Sequence, residues 1–203
     1  NGATGFPGYC LPYVFESDTL ENYEFGWKTT FANGNLRFNG AIYRINWKDI
    51  QVSQFDSQNI SILTIVDNGG NARITGAEVD IAWSVTNNLS LFAAASFNDT
   101  ELTFVDPAFD IVVADAGSPL PLTPKFQGNA RARYEWEASD TLDAFFQIAG
   151  KYAGSSVNSL VDPATEPQQR QDPYFIMDAA VGIGSTGDGW GLEVFVSNLT
   201  DER

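Results

Sequence analysis

Side chains alternate in polarity along about eight extended segments, the connections alternate between short and long, and aromatic residues gather beside the short turns. Together these predict an all-β chain: an antiparallel up-and-down transmembrane β-barrel segment of about eight strands, incomplete as a barrel. The 203 residues suffice for one all-β domain. No apolar run approaches the ~20 residues of a membrane helix. Barrel strands need only ~9–11 residues with every second side chain apolar, a much weaker hydropathy signal.

Residues 1–19, rich in Gly, Pro and aromatics without a period, read as a loop. Tyr23, Phe25, Trp27, Thr29 and Phe31 then alternate with Glu24, Gly26, Lys28 and Thr30. After Ala32-Asn33-Gly34-Asn35 the alternation resumes, with Ala41, Tyr43, Ile45 and Trp47 assigned to the first set's face and Arg44, Asn46 and Lys48 to the other. Two alternating strands around an Asn-Gly turn make a hairpin, whose second arm is expected to run on toward Phe55. Asn59–Val66 is apolar and β-branched, and Asp67–Asn71 interrupts it with turn or bulge chemistry.

Thr75 to Val85 alternates cleanly and ends at Thr86-Asn87-Asn88; Leu89 to Phe97 forms the next strand. Thr100 to Pro124, with Pro107, Pro119, Pro121 and several Asp, reads as a long loop. Phe126 to Trp136 is a two-faced strand, turning through Glu137–Asp140 into Leu142–Tyr152. A second long loop, Ser155–Asp172, precedes a final pair of strands from Phe175 to Val196.

The apolar faces carry Phe31, Trp83, Trp136 and Trp190 near short turns, while Phe126 and Tyr152 lie about ten residues away along their strands. At ~3.3 Å per residue and ~40° of tilt this climbs ~25 Å, the height of a lipid-facing band. With Trp47 they form the expected lipid-facing girdle. The opposite faces hold Glu24, Lys28, Arg44, Glu78, Asp80, Arg131, Arg133 and Glu135, the candidates for a wet lumen or for contact with a plug. Such charges would be costly to desolvate in a small closed interior. They also suit the exposed face of a soluble β-sandwich binding module, for carbohydrate or a similar ligand, which stands as the alternative.

Net charge is -15, with 11 basic against 26 acidic residues, which excludes nucleic acid as a partner. With no His and a single Cys, Cys10, the chain has neither imidazole chemistry nor an internal disulfide. Gly182-Ile183-Gly184-Ser185-Thr186-Gly187 spells a dinucleotide fingerprint but leads into another strand, so it reads as a turn. Glu78 and Asp80 read as solvated charge rather than an acid/base pair. Asp99, Glu101, Asp106, Asp110 and Asp115 read as loop solvation rather than a Ca²⁺ site. No catalytic, cofactor or metal-ligating set is assigned.

Several short motifs occur in one order. Glu21-Asn22-Tyr23-Glu24-Phe25-Gly26-Trp27-Lys28 is followed by Asn71-Ala72 with Gly76-Ala77-Glu78. Then come Gly117-Ser118-Pro119-Leu120-Pro121-Leu122-Thr123-Pro124 and Asn198-Leu199-Thr200-Asp201-Glu202-Arg203. In that order, over residues 20–203, they resemble the C-terminal barrel region of TonB-dependent outer-membrane receptors. The resemblance implies part of a barrel of about 22 strands around an N-terminal plug. It further implies energisation through TonB and import of a scarce nutrient, most often a ferric siderophore. Outer-membrane lipid, plug, TonB and a small metal chelate are the implied partners; plug and TonB lie outside this chain. A start at Asn1 and a stop at Arg203, where a strand is ending, lead us to expect a fragment that cannot close into a working barrel alone.

Overall fold

The computed structural model describes residues 15–55, 64–107, 114–160, 170–187 and 189–202. Cys10, most of the Asn59–Val66 run and the Phe109–Val112 part of the acidic loop lie outside the described residues. Alternation at period two produces strands, and the turns join consecutive strands as neighbours. The strands are β1 (Thr19–Phe31), β2 (Leu36–Phe55), β3 (Thr64–Ser84), β4 (Leu89–Val105), β5 (Phe126–Ser139), β6 (Leu142–Ala153), β7 (Ser156–Val157), β8 (Arg170–Gln171), β9 (Tyr174–Ser185) and β10 (Gly191–Val196). Eight of them form one open antiparallel sheet in the order β1-β2-β3-β4-β5-β6-β9-β10, while β7 and β8 form a two-residue ribbon.

Short and long connections segregate to opposite ends. Residues 32–35, 85–88, 140–141 and the turn after Ser185 close one end. At the other, the long crossings leave β4 and β6 and return into β5 and β9, and β2 and β3 extend as a tall hairpin. The first short turn is a 3-10 turn with positive φ at Ala32, Asn33 and Gly34, the backbone that an Asn-Gly pair supplies cheaply.

Directly paired residues in an antiparallel sheet share a face. Traced from β1 to β10, one face carries Phe25, Ile42, Ala77, Phe97 and Phe126 in one row, and Phe31, Leu36, Trp83, Leu91 and Ala132 in another. Farther along the sheet it carries Tyr152 beside Phe175, and Trp136 across Ala144 from Ile183. Most of the large exposed apolar side chains belong to this face, among them Phe25, Trp83, Phe97, Phe146 and Val181. The soluble sandwich fails here: among the described residues no second sheet packs over Phe126, Ala132, Tyr134 or Ile148. The other face holds the open clefts, which marks it as the concave side of the curl.

Two assignments are corrected by the register. Phe31 pairs with Leu36 across a four-residue turn, so odd-numbered residues of β1 share a face with even-numbered residues of β2. Arg44 pairs with Tyr23 and stands on the convex, aromatic face, away from Glu24. Trp47 pairs with Leu20 and Ala72 on the concave face, and so is not part of the outer aromatic girdle. There it packs against Ile50, Ala72, Leu102 and Ala114, and its Nε1 donates to Asp18 Oδ2 at 2.9 Å.

Strand lengths also differ from expectation. β3 runs unbroken through Asp67–Asn71, with register shifts opposite Ile50 and at Asn71/Ala72, so that polar run is a bulge inside a strand. β4 continues to Val105, and Leu102 then exchanges backbone hydrogen bonds with Gly117 and Ser118, folding the returning loop onto the strand. Gly117, at φ +98, supplies the left-handed corner this return needs.

Aromatic rings fill the space above glycines on neighbouring strands: Trp27 over Gly40, Tyr43 over Gly76, Phe145 over Gly182. A Cβ at Gly76 would stand 2.5 Å from the Tyr43 ring, whose hydroxyl donates to Asn98 Oδ1. In the complete receptor, Gly76→Val should lower stability by about 1–3 kcal/mol in denaturant titration, and Tyr43→Ala in the same chain should recover part of that loss. An unchanged midpoint for the single variant would contradict the packing.

Candidate functional site: the concave face

The concave face is built by alternation acting across all eight strands. Lys28, Asn39, Asp80, Ala94, Asn129 and Lys151 form one row; Gly26, Ala41, Glu78, Ser96 and Gln127 form the next. Small residues on the central strands leave an open trough of about 830 Å³ between them, lined by Glu24, Lys28, Glu78, Asp80 and Lys151 among others. A second trough, about 660 Å³, lies nearer the short turns and is lined by Arg133, Glu135, Glu137, Asp143 and Glu193.

Seven of the eight residues proposed for this face from sequence share it: Glu24, Lys28, Glu78, Asp80, Arg131, Arg133 and Glu135. Arg44 does not. The register does not bring them into one constellation: Glu24, Glu78 and Asp80 lie on β1 and β3, Arg131, Arg133 and Glu135 on β5, with the small residues of β4 between. Local partners are few. Arg133 donates to Glu135 Oε1 at 3.0 Å and lies 3.6 Å from the Phe145 ring centroid, a cation–π distance. Arg131 lies 5.9 Å from the Phe92 centroid, and Asn39 Nδ2 donates to Asp80 Oδ1 at 3.2 Å. Among the described residues Glu24, Lys28, Glu78, Asp80 and Arg131 take part in no ion pair within the sheet.

The alternation reading missed Tyr43, Ile45 and Trp47 for this face, because it placed them with the aromatic set of β1. The signal that would have found them is the turn length, which sets the parity of the hairpin. Toward the long crossings the face turns apolar. Trp47, Ile50, Leu102, Leu120 and Leu160 line a cleft of about 430 Å³ beneath the returning loop. Of the acidic loop residues, Asp99 pairs with Lys125 at 3.2 Å and Glu101 pairs with Arg73, so both carboxylates already have cationic partners.

An open, mixed-charge concave face, an apolar convex face and aromatic rows above short turns are the parts of a large membrane barrel wall. The comparisons agree. The family described as "TonB dependent receptor-like, beta-barrel" matches residues 6–199. The ferric yersiniabactin uptake receptor FyuA of Yersinia pestis superimposes with a TM-score of 0.70 at 20% identity, over 93% of this chain and 26% of that one. The ferric-catecholate import receptor Fiu of E. coli K12, in its closed form, gives 0.68 at 20% identity, over 93% and 24%. The siderophore receptor PiuA of Acinetobacter baumannii gives 0.67 at 18% identity, over 91% and 24%. The chain thus spans about a quarter of these receptors' length, and at such identities the likeness is one of fold. With the family match extending over nearly all its residues, the chain belongs to the TonB-dependent receptor-like β-barrel family of the bacterial outer membrane.

Proposed function

We propose that this chain is a wall segment, with its outer loops, of a non-enzymatic receptor that imports a ferric siderophore across the outer membrane. The observation that carries the reading is the division of one curved sheet into an apolar convex face and a charged concave face, in a fold shared with receptors named for ferric siderophore uptake. In this reading Phe31, Trp83, Trp136 and Trp190 lie at the periplasmic side of the lipid band, with Phe126 and Tyr152 at the outer side. The described parts of the long crossings, residues 114–125, 154–160 and 170–173, face the exterior, where a ligand arrives first.

The lumen holds a plug contributed by the receptor outside these residues, and TonB energises its rearrangement. The charges without an ion-pair partner within the sheet, Glu24, Lys28, Glu78, Asp80 and Arg131, are suited to contacts with that plug: a mixed set gives register and specificity at a polar interface without requiring large buried area. Arg133, steadied by Glu135 and Phe145, presents a fixed cation beside them.

Three measurements test this. Cells whose only route for ferric siderophores is the complete receptor should accumulate radiolabelled iron from at least one ferric siderophore and lose that uptake when TonB is removed. Binding of such chelates with no energised uptake would sink the transport reading. The pair Arg131→Glu with Arg133→Glu should lower uptake about tenfold or more while leaving the barrel folded in heat-modifiability gels. In a Cys10→Ser background, labels at Phe97 and Ile148 should be quenched by lipid-dissolved quenchers, and labels at Asp80 and Trp47 should not.

A further inference from the structure

Burial concentrates where the first long crossing returns onto β4. Among the described residues the buried polar side chains are Thr100 and Ser118, and both lie there. Asp115–Ser118 is a tight turn, closed by the Ser118 amide on the Asp115 carbonyl at 3.0 Å, with Gly117 in the left-handed conformation that its third position needs. Gly117 and Ser118 together oppose the single residue Leu102. The Gly117 amide donates to the Leu102 carbonyl at 2.7 Å and the Leu102 amide to the Ser118 carbonyl at 2.8 Å, a bulge led by a left-handed glycine. Further down, the Leu120 amide donates to Thr100 Oγ1 at 3.0 Å and the Asn98 amide to the Lys125 carbonyl at 2.9 Å. The segment is thus zipped to β4 as far as Phe97, where β5 takes over the ladder at Phe126.

The second crossing is tied to the first. The Gly154 amide donates to the Phe126 carbonyl and the Leu122 amide to the Val157 carbonyl, each at 2.8 Å. Leu122 holds φ 55, a left-handed backbone that is costly for a residue with a Cβ and persists where the surroundings over-determine it. Val157 is buried, and Leu160 packs with Leu120 against the cluster of Ile50, Ala72, Leu102 and Ala114. Val157 also pairs with Arg170 in the β7–β8 ribbon, and Arg170 Nη2 donates to Ser155 Oγ at 3.0 Å.

We propose that residues 114–125 and 154–160 form one fixed rim, closed before a ligand arrives and unmoved by its capture. Lifting either crossing would break several buried hydrogen bonds together and open the apolar cluster to water, so the two crossings hold or open as a unit. The cleft bounded by Trp47, Leu102, Leu120 and Leu160 is then preformed. Movements that enclose and admit a ligand belong to the plug and to the barrel outside these residues. The fixity of the rim stands on the hydrogen bonds alone; its passive part in capture rests on the transport reading.

Amide hydrogen exchange of the complete receptor in detergent, without ligand, reads the fixity. The amides of Leu102, Gly117, Leu120 and Leu122 should exchange about 100-fold or more slowly than those of an unstructured chain. Gly117→Val, which puts a side chain at φ +98, should speed exchange in residues 117–122 and in 154–160 alike. Where that variant does not fold, Thr100→Val, which removes only the hydroxyl, makes the same comparison. Loop-like exchange in the wild type, exchange unchanged in both variants, or loosening of the first crossing alone overturns the proposal. In a Cys10→Ser background, Leu102→Cys with Ser118→Cys should form a disulfide under mild oxidant. Cells should then take up radioactive iron, presented as hydroxamate and as catecholate chelates, equally with the bond formed and with it reduced. Uptake that falls about tenfold on oxidation and returns on reduction makes the crossing a gate and overturns the proposal, as does failure to cross-link. No uptake in either state, with exchange as expected, sinks the transport reading and leaves the rim standing.

Discussion

The backbone hydrogen-bond ladder is the constraint on which every other feature of this chain depends. In hydrocarbon an unpaired amide or carbonyl costs several kcal/mol, because no water is present to satisfy it. Each strand must therefore pair along its whole membrane-spanning length, and the eight strands of the large sheet follow one another in a single antiparallel series. Once pairing is fixed, so is the face of every side chain. A single turn length then sets the sidedness of an arm: the four residues between Phe31 and Leu36 put Arg44 outside and Tyr43, Ile45 and Trp47 inside. A turn of odd length would reverse all four.

Strand length has a second consequence. Spanning takes ~9–11 residues, yet β2 has 20 and β3 has 21. The excess stands beyond the membrane, where the solvent relations of the two faces are exchanged. Outside, side chains meet water and headgroups, so ion pairs such as Lys48 with Glu21 replace aromatic rows. Inside, the returning loop brings Ala114 and Leu120 over the sheet, so Trp47, Ile50 and Leu102 gain a small apolar core. The bulges opposite Ile50 and at Asn71 fall in this upper part, where a locally disturbed ladder can be satisfied by side chains: Asn71 Oδ1 accepts from the Asp49 amide at 2.9 Å.

The short motifs acquire physical roles in this frame. Gly76 makes room for the Tyr43 ring, Ala72 is almost fully buried beneath the upper cluster, and Gly117 turns the loop back onto Leu102. Asn198, in a left-handed conformation at φ 55, accepts from the Glu202 amide at 3.0 Å and donates to its carbonyl at 3.0 Å, closing the last turn. Leu199 and Thr200 then bond the carbonyls of Met177 and Phe175, tying the end of the chain to β9. These positions serve the backbone path.

Periodicity by itself determined the all-β class, the strands, the alternation of short and long connections, the sharing of a face by Glu78 with Asp80, and likewise by Arg131, Arg133 and Glu135. All of this is local: period two within a strand, Asn-Gly at a turn, Pro and Asp in a loop. Arg44 and Trp47 were not legible, because a strand's alternation says which residues share a face but not which face it is. For β3 to β9 the polar set inside and apolar set outside agreed with that assumption. For β2 the apolar set changes sides at the membrane boundary, so the pattern gave no single answer. Only pairing with β1 and β3, and the packing of the loop over Trp47, decided it, since register is a relation between strands and the height of the lipid belongs to the assembled sheet.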